Sequence, residues 1–253
     1  MDTLKGKVAL VTGAGQGVGQ GIALALASEG VQIAAVGRTL SKVEASCELL
    51  RERGVRAEAF ELDVLKTDEI PGLVDSVVET FGGVDILINN AYSGNLGKLA
   101  DMTDKQFQKG FVSGPFAAFA LMKACHPHMA AAGAGEIVNV VTSAMVRWDS
   151  TDYGAYASAK MALRSLTRTA ATEWAKDGIR ANNIAPHALS PALQWWTENR
   201  PEEAEEFVAT IPAGRIGDCE QDIGKAVVAL VGPHLTYLTG ATLPLDGGQA
   251  YFG

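Results

Sequence analysis

Short apolar runs alternate with amphipathic stretches of helix length along the whole chain. The runs at 8–12, 32–36, 56–61, 86–88, 137–141, 180–184 and 242–245 read as strands, and the stretches at 41–53, 67–81, 103–132 and 153–176 as helices. Strands covered on both faces are apolar throughout, and parallel neighbours need a helical crossover between them. The alternation therefore predicts an α/β fold, a doubly wound parallel sheet of about seven strands with helices on both faces. There is no linker, repeat or low-complexity segment to divide it.

With 253 residues, 47% of them hydrophobic, the chain can bury a large core, and 1–253 is read as a single domain. No apolar run reaches the ~18 residues that cross a bilayer, and the opening Met1-Asp2-Thr3-Leu4 lacks a signal-peptide core, so a cytoplasmic protein with no membrane partner is expected. Cys47, Cys125 and Cys219 are scattered without ligand spacing, which fits reduced thiols and no metal site. A formal charge of −8 argues against a nucleic-acid partner, which requires a basic footprint.

The strand at 8–12 runs into Gly13-Ala14-Gly15-Gln16-Gly17-Val18-Gly19, and a helix follows with Val18, Ile22 and Leu26 at helical spacing. A strand, a glycine-rich turn and a helix start bring backbone N–H groups and the positive helix end to one place, where a pyrophosphate can sit. Taken alone, such a turn also serves as a plain strand-to-helix connection.

A second constellation lies further on. Tyr156 and Lys160 are four apart and share a helix face, with Ser143 thirteen residues before the tyrosine. A free phenol titrates near ~10 and an ammonium beside it favours the phenolate, so the pair suits proton transfer, with the Ser143 hydroxyl holding a substrate oxygen. Tyr and Lys at this spacing also occur by chance on many helices.

In this order, these residues resemble the short-chain dehydrogenase/reductase family, and the resemblance runs along nearly the whole chain. Thr12-Gly13-x-x-x-Gly17-x-Gly19 matches its cofactor turn, Asp63-Val64 a strand end on the adenine side, and Asn89-Asn90-Ala91 its central strand motif. Ser143, Tyr156 and Lys160 match its catalytic residues. Gly214-Arg215-Ile216-Gly217, Asp222-Ile223 and Asp246-Gly247-Gly248 match its closing helix and strand.

The resemblance implies a Rossmann-type fold and hydride transfer between a ketone and a secondary alcohol, with Tyr156 exchanging the proton. Lys160 would lower the Tyr156 pKa and hold the nicotinamide ribose. Gly13, Gln16, Gly17, Val18, Gly19, Arg38, Asp63, Val64, Asn90, Ala91 and Pro186 would line the cofactor together with Tyr156 and Lys160. Asp63 also suits a helix cap. Residues 187–212 would form a lid over the substrate, and relatives assemble as homotetramers or homodimers through their long helices.

An acidic residue at the end of the second strand would grip the two ribose hydroxyls of NAD(H). Gly37 stands there instead, followed by Arg38, whose guanidinium suits a 2′-phosphate. NADP(H) is therefore favoured, with NAD(H) possible, because Gln16 stands where many NADP-using relatives carry a second basic residue.

The chain also departs from the family pattern. An asparagine usual on the long helix before the fifth strand is replaced by Gly114, or by Phe111 in another alignment, next to Pro115. Pro115 should bend that helix, leaving Ser113 or a freed carbonyl to hold a relay water. Tyr92 and His187 each replace a usual glycine. With Met145, Trp148, Tyr153, Trp195 and Trp196 they imply an apolar, aromatic pocket for a small carbonyl or alcohol substrate, cyclic or aromatic. A 3-oxoacyl-thioester reductase and a catalytically weakened nucleotide sensor or scaffold are the alternatives.

Overall fold

The computed structural model of the chain describes residues 4–148 and 152–252. Seven strands form one sheet in the order β3-β2-β1-β4-β5-β6-β7. They are β1 (Val8–Thr12), β2 (Gln32–Gly37), β3 (Ala57–Glu61), β4 (Ile86–Asn89), β5 (Gly135–Val140), β6 (Ile179–Pro186) and β7 (Thr242–Leu245). Every pairing is parallel.

The apolar runs divide residue by residue between two cores, as the two-residue strand period requires. Ala9, Val11, Ile33, Ala35, Ile86, Ile88 and Val138 enter one layer. There they meet α1 (Gly17–Ser28), α2 (Leu40–Arg51) and α9 (Lys225–Val231) through Ile22, Leu26, Val43, Leu50, Val227 and Leu230. Leu10, Ala34, Val36, Leu87 and Ile137 enter the other, against α3 (Ile70–Phe81), α5 (Ala117–Ala132) and α6 (Gly154–Glu173).

Several elements differ from the sequence expectation. The single helix expected over 103–132 is α4 (Asp104–Phe111), a π-helical turn at Val112–Phe116 and then α5. Pro115 lies inside the wide turn, where its missing N–H removes one bond from the ladder. The segment 187–212, for which no element was expected, holds α7 (Pro191–Asn199) and α8 (Pro201–Ala209), each opening on a proline whose fixed φ suits a first helical turn. Ser190 caps α7 by accepting from the Leu193 N–H. Among the described residues no helix is long and apolar enough to cross a membrane, and no cluster of metal-ligating side chains occurs.

Strand order reverses at β1, whose neighbours β2 and β4 send their connections to opposite faces. A crevice opens there beyond the carboxyl ends of the strands, the position where ligands bind in open α/β sheets.

Candidate active site

The glycine turn occupies that crevice. Gly13 and Gly17 have φ of +69° and +59°, which only glycine adopts freely, and a Cβ on Gly13 would lie 2.6 Å from the Asn90 amide nitrogen. Thr12 ties the turn to the end of β4. Its hydroxyl donates to the Ile88 carbonyl (3.1 Å) and accepts from the N–H of Asn90 (3.0 Å) and Ala91 (3.1 Å). Asn90 turns its amide back to the Thr12 carbonyl (2.9 Å), so this side chain braces the turn itself. The N-cap residue Gln16 makes no side-chain cap bond at the start of α1, which carries half-buried Val18 and buried Gly19, and among the described residues no side chain bonds its first N–H groups. Uncapped donors at a helix start, beside glycines that leave no side chain in the way, fit the pyrophosphate of a dinucleotide.

At the end of β2, Gly37 stands with no carboxylate, and Arg38 is exposed without an ion pair among the described residues. Lys42, in the first turn of α2, donates to Gln16 Oε1 at 2.9 Å and so brings a second positive charge over the glycine turn. In the sequence Gln16 stands where many NADP-using relatives carry a second basic residue, and Lys42, not singled out there, brings a charge to the same place from α2. Asp63 caps its own turn by accepting from Leu65 N–H (3.1 Å), Val64 is buried beside it, and Pro186 closes β6.

Tyr156 and Lys160 sit on one face of α6. Lys160 is 2% exposed and donates to the Val140 carbonyl at 2.6 Å. Its ammonium lies 5.1 Å from the ring centroid of Tyr92 and 5.8 Å from that of Tyr156. Burial draws the Lys160 pKa down to about 8, which leaves it mostly charged at neutral pH. The Tyr156 phenol is pushed up to about 12 by burial, against a hydrogen bond from Thr142 that pulls it down. This rise is opposite to the fall expected from Lys160: burial is the largest influence on the phenol, and the opposing pull comes from Thr142 and not from the ammonium.

Ser143, at the end of β5, is buried and donates to Asp246 Oδ2 at 2.5 Å. Asp246 is itself 3% exposed and also accepts from the N–H groups of Gly248 and Ala250, both at 3.1 Å. Neither Thr142 nor Asp246 was singled out as a site residue in the sequence, since only the folded sheet brings the ends of β5 and β7 together.

Behind the pair, a buried polar chain runs across the sheet. Asn89 donates to Asn139 (2.7 Å), Asn139 to Thr167 (2.8 Å), Thr167 to Asn183 (2.6 Å) and Asn183 to Thr242 (3.2 Å). A cavity of about 10 Å³ is lined by Asn89, Ser113, Gly114 and Lys160, room for one water. The Ser113 hydroxyl is already engaged, donating to the Lys109 carbonyl (2.9 Å) and accepting from Ser93 N–H (3.1 Å). The Asn89 Oδ1 lacks a partner among the described residues.

Of the expected pocket residues, Tyr92 and Tyr153 flank Tyr156, with ring centroids 4.9 and 6.0 Å away, and Met145 is buried two residues beyond Ser143. His187 and Trp196 meet edge-on around Phe207 of α8, at 5.1 and 5.7 Å, and Phe207 went unnoticed in the sequence. Two tryptophans are not brought into this group. Trp148 is fully exposed next to residues outside the described set, and Trp195 faces solvent at 62% exposure because α7 turns its other side inward.

A family model described as Enoyl-(Acyl carrier protein) reductase matches residues 13–250. The chain is 37% identical to a 12alpha-hydroxysteroid dehydrogenase of Clostridium sp. (strain ATCC 29733 / VPI C48-50), covering 98% of both chains. It is 32% identical to the 3-oxoacyl-[acyl-carrier-protein] reductase FabG of Vibrio cholerae, over 97% of this chain and 98% of the relative. A solved 7 alpha-hydroxysteroid dehydrogenase complexed with NADH and 7-oxo glycochenodeoxycholic acid superposes with a TM-score of 0.92 at 30% identity, covering 98% of this chain and 97% of that one. The chain is a member of the short-chain dehydrogenase/reductase family, an oxidoreductase acting between CH–OH and C=O groups.

Proposed function

We propose that the protein is an NADP(H)-dependent carbonyl reductase and alcohol dehydrogenase for an apolar cyclic or aromatic ketone and its secondary alcohol. The observation that carries this reading is the Tyr156–Lys160 pair on one face of α6, next to Ser143 and the glycine turn.

In the reducing direction Tyr156 donates its phenolic proton to the substrate oxygen as negative charge develops there. A phenol held near 12 by burial is protonated at neutral pH and ready for that role. Ser143 gives its one hydrogen to Asp246 in this structure and would hold the same oxygen by turning that hydrogen toward it. Lys160, anchored on the Val140 carbonyl, keeps a positive charge near the phenol and would have further donors to give the cofactor ribose. When bound, the nicotinamide supplies or takes up the hydride.

Arg38, Lys42 and the missing carboxylate at Gly37 favour a 2′-phosphate. Tyr92, Met145 and Tyr153 at the phenol, with the His187–Phe207–Trp196 cluster of a lid over 187–212, favour an apolar ring system. The 12alpha-hydroxysteroid dehydrogenase relative points the same way. The FabG likeness supports a second reading, reduction of a 3-oxoacyl thioester. Glu202, Glu203, Glu205 and Glu206 expose acidic charge on α8, which suits an acidic carrier poorly. Exposed Phe116 and Phe119 on the long helix segment fit burial against further copies in a homodimer or homotetramer.

Titration with NADPH and NADH, followed by turnover of a ketone panel that includes oxo-steroids and 3-oxoacyl thioesters, tests the reading. Tighter NADPH binding with turnover of a cyclic ketone is expected. Preference for NADH, or for the thioester alone, would overturn it.

A further inference from the structure

The loop after β4 carries Tyr92 into the site, and the facing helix is hollowed to receive it. A Cβ on Gly110 would lie 2.7 Å from the Tyr92 hydroxyl, one on Gly114 would lie 3.5 Å from the ring, and one on Gly94 would collide with it. Gly110 and Gly114 stand four residues apart, where α4 passes into the π-helical turn. Three glycines thus surround one large side chain, an exchange of volume that keeps the packing dense.

Filling space would be served by any large apolar residue. The ring does more than fill space, since Lys160 Nζ lies 5.1 Å from its centroid and the Tyr156 ring meets it at 4.9 Å and 62°. Lys160 is buried with one backbone acceptor, the Val140 carbonyl. Around it stand Tyr156 on its own helix, Tyr92 from the β4 loop, and Thr12, Asn89 and Ser113 along the cavity, none of them charged. A buried ammonium so placed is costly unless something else offsets its lost hydration, and the negative face of an aromatic ring does this. The Tyr92 hydroxyl has no partner among the described residues, so the ring and not the oxygen carries the effect.

We propose that Tyr92 is a positioning residue for the proton-transfer pair: its ring face holds the Lys160 ammonium and its edge-type contact fixes the Tyr156 phenol. The inference rests on the reading that Tyr156 and Lys160 carry the chemistry.

The test replaces Tyr92 by phenylalanine and by mono-, di- and pentafluorinated phenylalanine, which keep the shape of the ring while weakening its negative face stepwise. The Lys160 ammonium is titrated by NMR in lysine-labelled protein, its signal assigned by its loss in Lys160→Arg. Tyr92→Phe is expected to titrate as the wild type does. Each step of fluorination should move the titration down, by up to about one pH unit for the full series, and kcat should fall in step while KM holds. Tyr92→Leu should match the pentafluorinated ring, and if it does not fold, the fluorinated series still decides. A flat series with turnover lost in Tyr156→Phe overturns the role of Tyr92 alone. Full turnover in Tyr156→Phe overturns the reading beneath it, and the role of Tyr92 with it.

Discussion

Ser143 donates to Asp246 at 2.5 Å, joining the end of β5 to the end of β7 through two buried side chains. A charged acceptor holds the serine hydroxyl in one rotamer more firmly than a neutral one. Asp246→Asn is expected to lower kcat/KM roughly tenfold to a hundredfold, the value of one charge-assisted hydrogen bond, with cofactor affinity unchanged. Steady-state kinetics beside cofactor titration check this, and equal losses in both would argue against it.

Arg38 follows the end of β2 and Lys42 reaches across Gln16, two positive charges that the proposed NADP(H) reading sets beside the 2′-phosphate. Replacing either by alanine should weaken NADPH about tenfold and leave NADH unchanged, since only the phosphate meets both charges. The double variant should lose most of the discrimination. Fluorescence titration of both cofactors gives the answer.

Thr167 sits at the middle of the buried polar chain, between Asn139 and Asn183. Thr167→Val keeps the shape but strands two amides out of reach of water. A loss of about 2 to 4 kcal/mol in unfolding free energy is expected, visible as a lower urea midpoint at unchanged slope. A neutral result would mean that the chain contributes nothing to holding α6 on the sheet.

Glu136, half-buried beside Arg180, has its carboxyl pushed from 4.5 up to about 7, chiefly by partial removal from water. The folded state therefore holds a proton that the unfolded state has released between those values. The stability this gives is complete below pH 4.5 and is lost as pH rises through 7. Urea unfolding of the wild type should weaken across that window by roughly 1 to 3 kcal/mol, and Glu136→Gln should flatten the curve. Identical curves for the two proteins would contradict the assignment.

The sheet was legible because strands buried on both faces leave long apolar runs, and β1 and β7 begin and end where those runs do. The break at Pro115 was visible as a missing donor, whereas the π-helical form of the break was not, because it depends on how α4 and α5 pack. Pro191 and Pro201 each sit at a first helical turn, and the aromatic and acidic content around them masked α7 and α8. Tyr156, Lys160 and Ser143 stood out through local spacing. Asp246 and Thr142 act through contacts that only the finished sheet makes, and the slot for Tyr92 is written in Gly94, Gly110 and Gly114, which give no signal until the loop and helix face each other.

The most direct test is the Tyr156→Phe enzyme, assayed for NADPH-dependent reduction of its best cyclic ketone beside a titration of NADPH affinity. The account predicts turnover lower by about a hundredfold to ten-thousandfold, the usual contribution of a positioned proton donor, with NADPH bound as tightly as before. Turnover within a few fold of the wild type would contradict it.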